Sequence, residues 1–524
     1  MRALLLLLAL GVAGCAGSSL PVGPLQTPAQ ACEYRCTSTH AEVVAHLDAL
    51  AARSALRVGT FGTSGEGRAL PLAMWGADAA TPQAARQTGK TRVLVIGNIH
   101  GGEVAGKDAM LELLSDLATG AHATWADSLV IAVAPIYNAD GNERMEYDNR
   151  PRQDGPVEGM GQRPNAAGLD LNRDFMKVAS PEARALVGLM RDLDPHVVVD
   201  LHTTNGTAMG YHLTYAPGLS PNTPAAIDAD LRDRWLPSIS AEILASDDFA
   251  MYHYGNVPGA FGEQAAAPRG WYSYSPQPRF SSNYAGLRGR YGILSEAYSY
   301  APFDERVAVS RRFVEAILDR AWADASRVRQ RTEAADAASV AGQLLVVRAD
   351  FDALDAPVEI LLGAVDTLAH PVSGATVLRR RDVRTPERMP AFVRFAPSET
   401  VRAPAAYVVS GPSAAAVRAL LDVHGIQYRT GAEAGAREGF RLDSVSTEGR
   451  PFQQVAMQEA FGAWGRAASR PADPAALVVP VDQPLGRLAV ALFEPRSDDG
   501  LVAWGVLREA LAADTYPVER IPAR

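Results

Sequence analysis

Between about residues 39 and 339, short unbroken apolar runs alternate with stretches of helical spacing. "RVLVIGN", "SLVIAVAPIYN", "HVVVDLH" and "RYGILSEAYSY" are rich in Val and Ile and end in polar residues. That is the pattern of strands covered on both faces. "GKDAMLELLSDLAT" and "SPEARALVGLMRDL" are amphipathic, and the second opens with Ser180 as N-cap, Pro181 in the first turn and a Glu behind it. The alternation predicts an α/β domain over residues 39–339: a mixed, largely parallel central sheet flanked by helices, closed by one long charged helix from about Asp304 to Ala338. From residue 340 the pattern changes. "GQLLVVRADF", "PVEILLGAV", "GATVLRRRDV", "AFVRFAPSETV" and "AAYVVSG" are short strand-like runs separated by Pro, Gly and Asp. Residues 340–524 therefore read as a separate β-rich domain of unassigned role. It contains one helical run, "SAAAVRALLDVHGI", with His424 at the end, where a cation suits the helix dipole.

The first residues are of another kind. "MRALLLLLALGVAGC" has one basic residue, a short apolar core and small residues before Cys15, which predicts a signal peptide over residues 1–14, too short to span a membrane. "VAGC" resembles a bacterial lipobox, in which Cys15 becomes the lipid-bearing N-terminus; two or more acyl chains anchor stably where one does not. Residues 15–38 then form a Ser/Pro/Gly-rich linker, and the expectation is an exported, membrane-anchored lipoprotein of the bacterial envelope, on the periplasmic or outer-membrane side. An ordinary signal peptide that contains a cysteine is the alternative. Cys32 and Cys36 in "CEYRC" are either a short-loop disulfide or two free thiols; without a nearby His they make a poor zinc site. The net charge of −9 with scattered arginines argues against a nucleic-acid partner, and no long apolar run follows the N-terminus.

In open α/β sheets, ligands bind at the carboxyl ends of the strands. His100 and Glu103 lie just past one strand, and His202 ends another in "VVVDLHTT". Two imidazoles and a carboxylate suit a catalytic zinc ion with one position left open. The glycines between His100 and Glu103 would let the backbone pack tightly beside the ion. Asp170 and Asp200 are candidates to hold the second nitrogen of a ligating His. In "GLDLNRDF", Asn172 and Arg173 form a plausible clamp for a terminal carboxylate, since Arg binds carboxylates through two parallel bonds. Glu296 ends the strand in "RYGILSEAY", where it could serve as general base.

Together, "HGGE", "PIYNADGNER", "LDLNRDF", "DLH" and "ILSEAY", in this order, resemble the zinc carboxypeptidases, the carboxypeptidase A-like metallopeptidases, over about residues 40–330. "TSGEGRALPLAMWG" is similar to that family's early hairpin, and His₂Glu is the ligand set for which the family is known. The resemblance implies a single Zn²⁺ on His100, Glu103 and His202, with Asp170 orienting His100. It further implies Asn172 and Arg173 on the substrate's terminal carboxylate, and Glu296 activating the water. The family's carbonyl-polarising arginine corresponds best in position to Arg150, then Arg163. Its capping tyrosine corresponds to Tyr274, with Tyr272 and Tyr284 close by. The implied activity is hydrolysis of C-terminal peptide bonds in peptides with a free C-terminus. The alternatives are a zinc amidase or endopeptidase acting on peptidoglycan stem peptides or acyl-amino acids, and an inactive envelope binding module.

Overall fold

In the computed structural model of the chain, residues 25–259, 267–431, 436–467, 473–513 and 515–523 are described. The predicted signal peptide and Cys15 lie outside the described residues. The first sheet is built from β1 (Arg57–Thr63), β2 (Ala69–Trp75), β3 (Thr91–Gly97), β4 (Leu129–Ala134), β5 (Val197–Thr204), β6 (Leu213–Pro217), β7 (Met251–His253) and β9 (Tyr291–Tyr298), while β8 (Trp271–Tyr272) stands apart from it. Its strand order is β1-β2-β4-β3-β5-β9-β6-β7. The four apolar runs of the sequence are the adjacent central strands β4, β3, β5 and β9, all mutually parallel. The hairpin β1–β2 and strand β6 join this block antiparallel. β3 and β4 are buried along their whole length, as continuous Val/Ile runs require when helices cover both faces.

The helices start where the sequence signals them. Ser180 caps Pro181–Leu193 by accepting from the Ala183 amide at 3.0 Å, and Ala105–Ala118 follows the turn after β3. The expected single helix over 304–338 is instead two, Phe303–Ala323 and Ala325–Ala337. The break falls at Asp324, whose backbone (φ −99°, ψ 15°) leaves the helical range and whose carboxylate accepts from the Trp235 indole at 2.9 Å.

The C-terminal region contains two long antiparallel pairs, Leu344–Asp352 with Arg394–Arg402 and Val358–Ala369 with Thr376–Met389. Beyond them lies a six-stranded sheet that includes Ala406–Val409, Leu477–Pro480 and Glu438–Thr447. It is not walled off from the first sheet. One continuous apolar cluster runs from Leu94 and Leu186 through Tyr284 to Val417, Leu421 and Leu477, and Ala391–Phe392 pairs with β8. His424 ends its helix as expected, but it is fully buried and bonded to the Tyr284 hydroxyl at 2.7 Å. Burial pushes its pKa down to about 4, so it carries no charge for the dipole.

A polar clamp adds to this packing. Arg279 donates to Asp499 through its side chain at 2.7 Å and its amide at 2.9 Å. Burial pushes the Asp499 carboxyl up to about 6 even though Arg279 pulls it back. A carboxyl with a raised folded-state pKa makes stability fall as pH rises, here from the unfolded value of about 4 to about 6. In Asp499→Asn, the loss of thermal stability between pH 4 and 6 should therefore be smaller than in the parent. Arg279→Ala, which strands a buried carboxyl, should cost about 3–5 kcal/mol near neutral pH. Melting curves across that pH range check both; an unchanged slope in the Asn variant assigns the titration to another group.

Candidate metal centre and active site

β3 ends at Gly97, and Asn98 then adopts φ +61°, a left-handed conformation that Asn tolerates better than most residues. Its side-chain amide donates to the Gly101 carbonyl at 3.0 Å and the His100 carbonyl at 3.3 Å, closing the turn that presents His100 and Glu103. Glycine is required here by neighbouring backbone. A Cβ on Gly101 would sit 2.3 Å from the Gly141 carbonyl carbon, and one on Gly102 would sit 2.2 Å from the Gly161 oxygen. β5, next to β3, brings His202 to the same edge.

The two imidazoles are held from behind. His100 Nε2 lies 3.0 Å from Asp170 Oδ1, and His202 Nε2 lies 2.7 Å from Asp200 Oδ2. A ring nitrogen on a carboxylate carries the proton, which leaves each Nδ1 as a lone-pair donor. These two Nδ1 atoms are 3.2 Å apart, and each is 3.0 Å from an oxygen of Glu103. Glu103 is itself fixed by the Thr203 amide at 3.0 Å and Arg150 at 2.6 Å. Three buried acceptors facing one another are unfavourable unless a cation lies between them. Burial opposes a charge on His202, yet Asp200 and Glu103 hold its pKa well above the ordinary value, so the spot stabilises positive charge. This donor set fits a metal ion, and two imidazoles with a carboxylate fit zinc. Among the described residues, His100, Glu103 and His202 are the cluster of His, Cys, Asp and Glu able to hold one.

Glu296 faces His202 across the β5–β9 register. It keeps part of its surface toward the cavity while lying deep among protein atoms. Burial pushes its carboxyl up to about 8, with His202 pulling it back and Glu103 adding to the rise. The site lines a cavity of about 120 Å³ that continues into a groove of about 700 Å³, the two sharing Arg163, Arg173 and Tyr274.

The sequence model for the zinc carboxypeptidase family matches residues 43–256. This part of the chain is a zinc carboxypeptidase domain. Carboxypeptidase 2 of Trichophyton rubrum is 35% identical over 152 residues, which are 28% of this chain and 25% of the relative. Carboxypeptidase D of Mus musculus is 29% identical over 163 residues, 26% of this chain and 12% of the relative. The chain thus spans a quarter or less of the length of these curated relatives. A metallo-carboxypeptidase from Burkholderia cenocepacia superposes with a TM-score of 0.40 at 20% identity, over 54% of this chain and 69% of that one. Glu296 lies beyond the stretch that the family model matches.

The remaining predicted residues, some within the matched stretch and some beyond it, gather around the cavity to different degrees. The Asn172 oxygen accepts from the Ser281 amide at 2.9 Å, which leaves its NH₂ against His202 Nε2 at 3.3 Å. Arg173 lies over the Phe280 ring, 4.2 Å from the centroid. Tyr274 lines the cavity with its hydroxyl on Ser282 at 2.7 Å. Tyr284 is fully buried away from the cavity, and Tyr272 borders only the groove. Arg150 has a side chain 9% exposed; Arg163, 41% exposed, is bonded to Asp170 at 2.8 Å and stands 3.7 Å from Glu103. Asp200, an open candidate in the sequence, takes His202 as Asp170 takes His100. Sequence reasoning missed Thr203, Tyr254 and Phe280, although Thr203 stands directly after His202 in "VVVDLHTT"; Phe280 lies just before the helix Ser281–Leu287. The pair in "CEYRC" is a disulfide, Cys32–Cys36, with Cα atoms 6.0 Å apart.

Because Asp200 fixes the tautomer and aim of His202, Asp200→Ala should weaken zinc affinity about 10–100-fold. Competition against a chromophoric chelator measures this; parent-like affinity would remove the carboxylate from the metal-binding unit.

Proposed function

We propose that the chain is a zinc-dependent metallocarboxypeptidase that hydrolyses C-terminal peptide bonds in peptides bearing a free C-terminus. The observation that carries this reading is the meeting of two carboxylate-backed imidazoles with Glu103 at the edge of a cavity that also holds Glu296 and three arginines. Zinc on His100, Glu103 and His202 would supply a Lewis acid that polarises the scissile carbonyl and acidifies the attacking water. Glu296 takes the proton of that water and passes it to the leaving amine, and a carboxyl raised toward neutral pH is suited to both transfers. The guanidinium of Arg173, held flat by Phe280, and the Asn172 NH₂ grip the terminal carboxylate. Tyr274 covers the bound end.

Geometry favours Arg163 over Arg150 as the group that stabilises the oxyanion. Arg150 is buried and committed to Glu103, whereas Arg163 is braced by Asp170 and still half open to the cavity. The same clamp would accept peptidoglycan stem peptides, whose termini are also free carboxylates. A pure binding module has no use for a raised carboxyl beside an open metal position, which counts against that alternative. Export and anchoring through Cys15 belong to the same proposal and are supported by the "VAGC" pattern.

Glu296→Gln should keep zinc and bind peptide while kcat falls by about 10²–10⁴-fold, because only proton transfer is removed. Release of C-terminal amino acids from free-acid peptides and their amidated counterparts is the assay. Undiminished turnover in the variant removes Glu296 from the chemistry, and equal cleavage of amidated peptides removes the carboxylate clamp.

A further inference from the structure

The groove that leads from the metal site has a wall contributed from beyond residue 340. Phe351, Phe452 and Gln453 border it together with Arg163, Tyr254 and Tyr272. Gln453 Oε1 accepts from the backbone amide of Asp170 at 2.8 Å, and Gln454 Nε2 donates to the Ala167 carbonyl at 2.7 Å. Both glutamines have positive φ, +49° and +64°. Such conformations cost non-glycine residues about 1–3 kcal/mol and persist only where the surroundings enforce them. Here Phe452 and Val455 pair through their backbones at 2.8 and 2.9 Å, and the Phe452 ring lies 5.1 Å from the Arg279 guanidinium. A tight turn is thereby driven onto the loop that carries Asp170, Asn172 and Arg173. Phe351 is held by an edge contact to Tyr272 at 5.5 Å and by Phe395 at 4.8 Å.

The chemistry of this wall says what it would hold. The inner cavity, about 120 Å³, has room for little beyond one terminal residue, while the groove of about 700 Å³ falls in the range of sites that enclose a larger ligand. The carboxylate bordering the groove, Asp170, is already taken by His100 and Arg163. The surface contributed from beyond residue 340 is aromatic faces plus a side-chain amide. That suits an extended peptide carrying an apolar side chain and a backbone in need of hydrogen bonds. Resting on the peptidase reading above, we propose that Phe351, Phe452 and Gln453 form subsites for substrate residues on the N-terminal side of the scissile bond. The C-terminal region then selects peptides by length and by an apolar residue upstream.

The test is peptide binding by the full-length, zinc-loaded Glu296→Gln protein, read by fluorescence anisotropy. The probes are a labelled hexapeptide with leucine upstream and a labelled dipeptide, both with free C-termini. Phe351→Ala and Phe452→Ala should each weaken hexapeptide binding about 5–20-fold, the effect of removing one apolar contact of 1–2 kcal/mol, and change dipeptide binding less than about twofold. Phe452→Leu, which keeps apolar bulk, should stay near the parent, and circular dichroism identifies any variant that fails to fold; Phe351→Ala then carries the test alone. Equal weakening for both lengths, no weakening for either, or a parent that binds neither peptide overturns the assignment. The parent sequence with Glu296 intact is assayed in parallel. If it releases no residue while hexapeptide binding still depends on this wall, the hydrolase reading fails and the subsites stand. If it releases residues while binding is indifferent to the wall, the reverse holds.

Discussion

Two imidazoles whose Nδ1 atoms point at each other, with a carboxylate against both, set the terms for everything around them. Left without a cation, those buried lone pairs repel one another. The rest of the site can be understood as holding them there. Asp170 and Asp200 fix the far nitrogens, Thr203 and Arg150 fix Glu103, and Asn98 bends the chain so that one turn after β3 supplies two of the three groups. Each of these supports is short and buried, so the arrangement is stiff before any substrate arrives.

The sheet explains how residues so far apart in sequence come to share a point. β3, β5 and β9 are parallel neighbours, and their carboxyl ends deliver His100 and Glu103, His202, and Glu296 to one edge. Parallel strands rise in step, so a site assembled from their ends tolerates little slippage: a shift of one residue in β9 would turn Glu296 to the opposite face.

Much of this was legible because it is local or periodic. A strand buried on both faces reads as an unbroken Val/Ile run, and a polar residue at its end stands out. This is why His202 and Glu296 stood out as strand-end residues, while the roles expected of them came from the ordered set of motifs. The cap on Pro181–Leu193 was legible for the same reason: Ser180 and Pro181 act on the turn they begin. What depends on tertiary contact was not. His424 reads as a helix-end cation because nothing in "LLDVHGI" announces that Tyr284, 140 residues earlier, encloses it. Nor does the run from Asp304 to Ala338 announce that the Asp324 carboxylate meets the indole of Trp235, 89 residues earlier. That Arg150 pairs with Glu103 and Arg163 with Asp170 is likewise not encoded in spacing.

The bond from Gln453 to the Asp170 amide spans 283 residues. Ribosomes make a protein from its amino end, so the histidines, their aspartates and Glu296 all exist in the nascent chain before the turn that braces the Asp170 loop. A chain cut short before that turn can still carry every residue of the candidate metal site, but the groove lacks one side and the loop its outer support. Completion of the polypeptide, and not merely of the zinc carboxypeptidase domain, is what finishes the architecture around the candidate metal site.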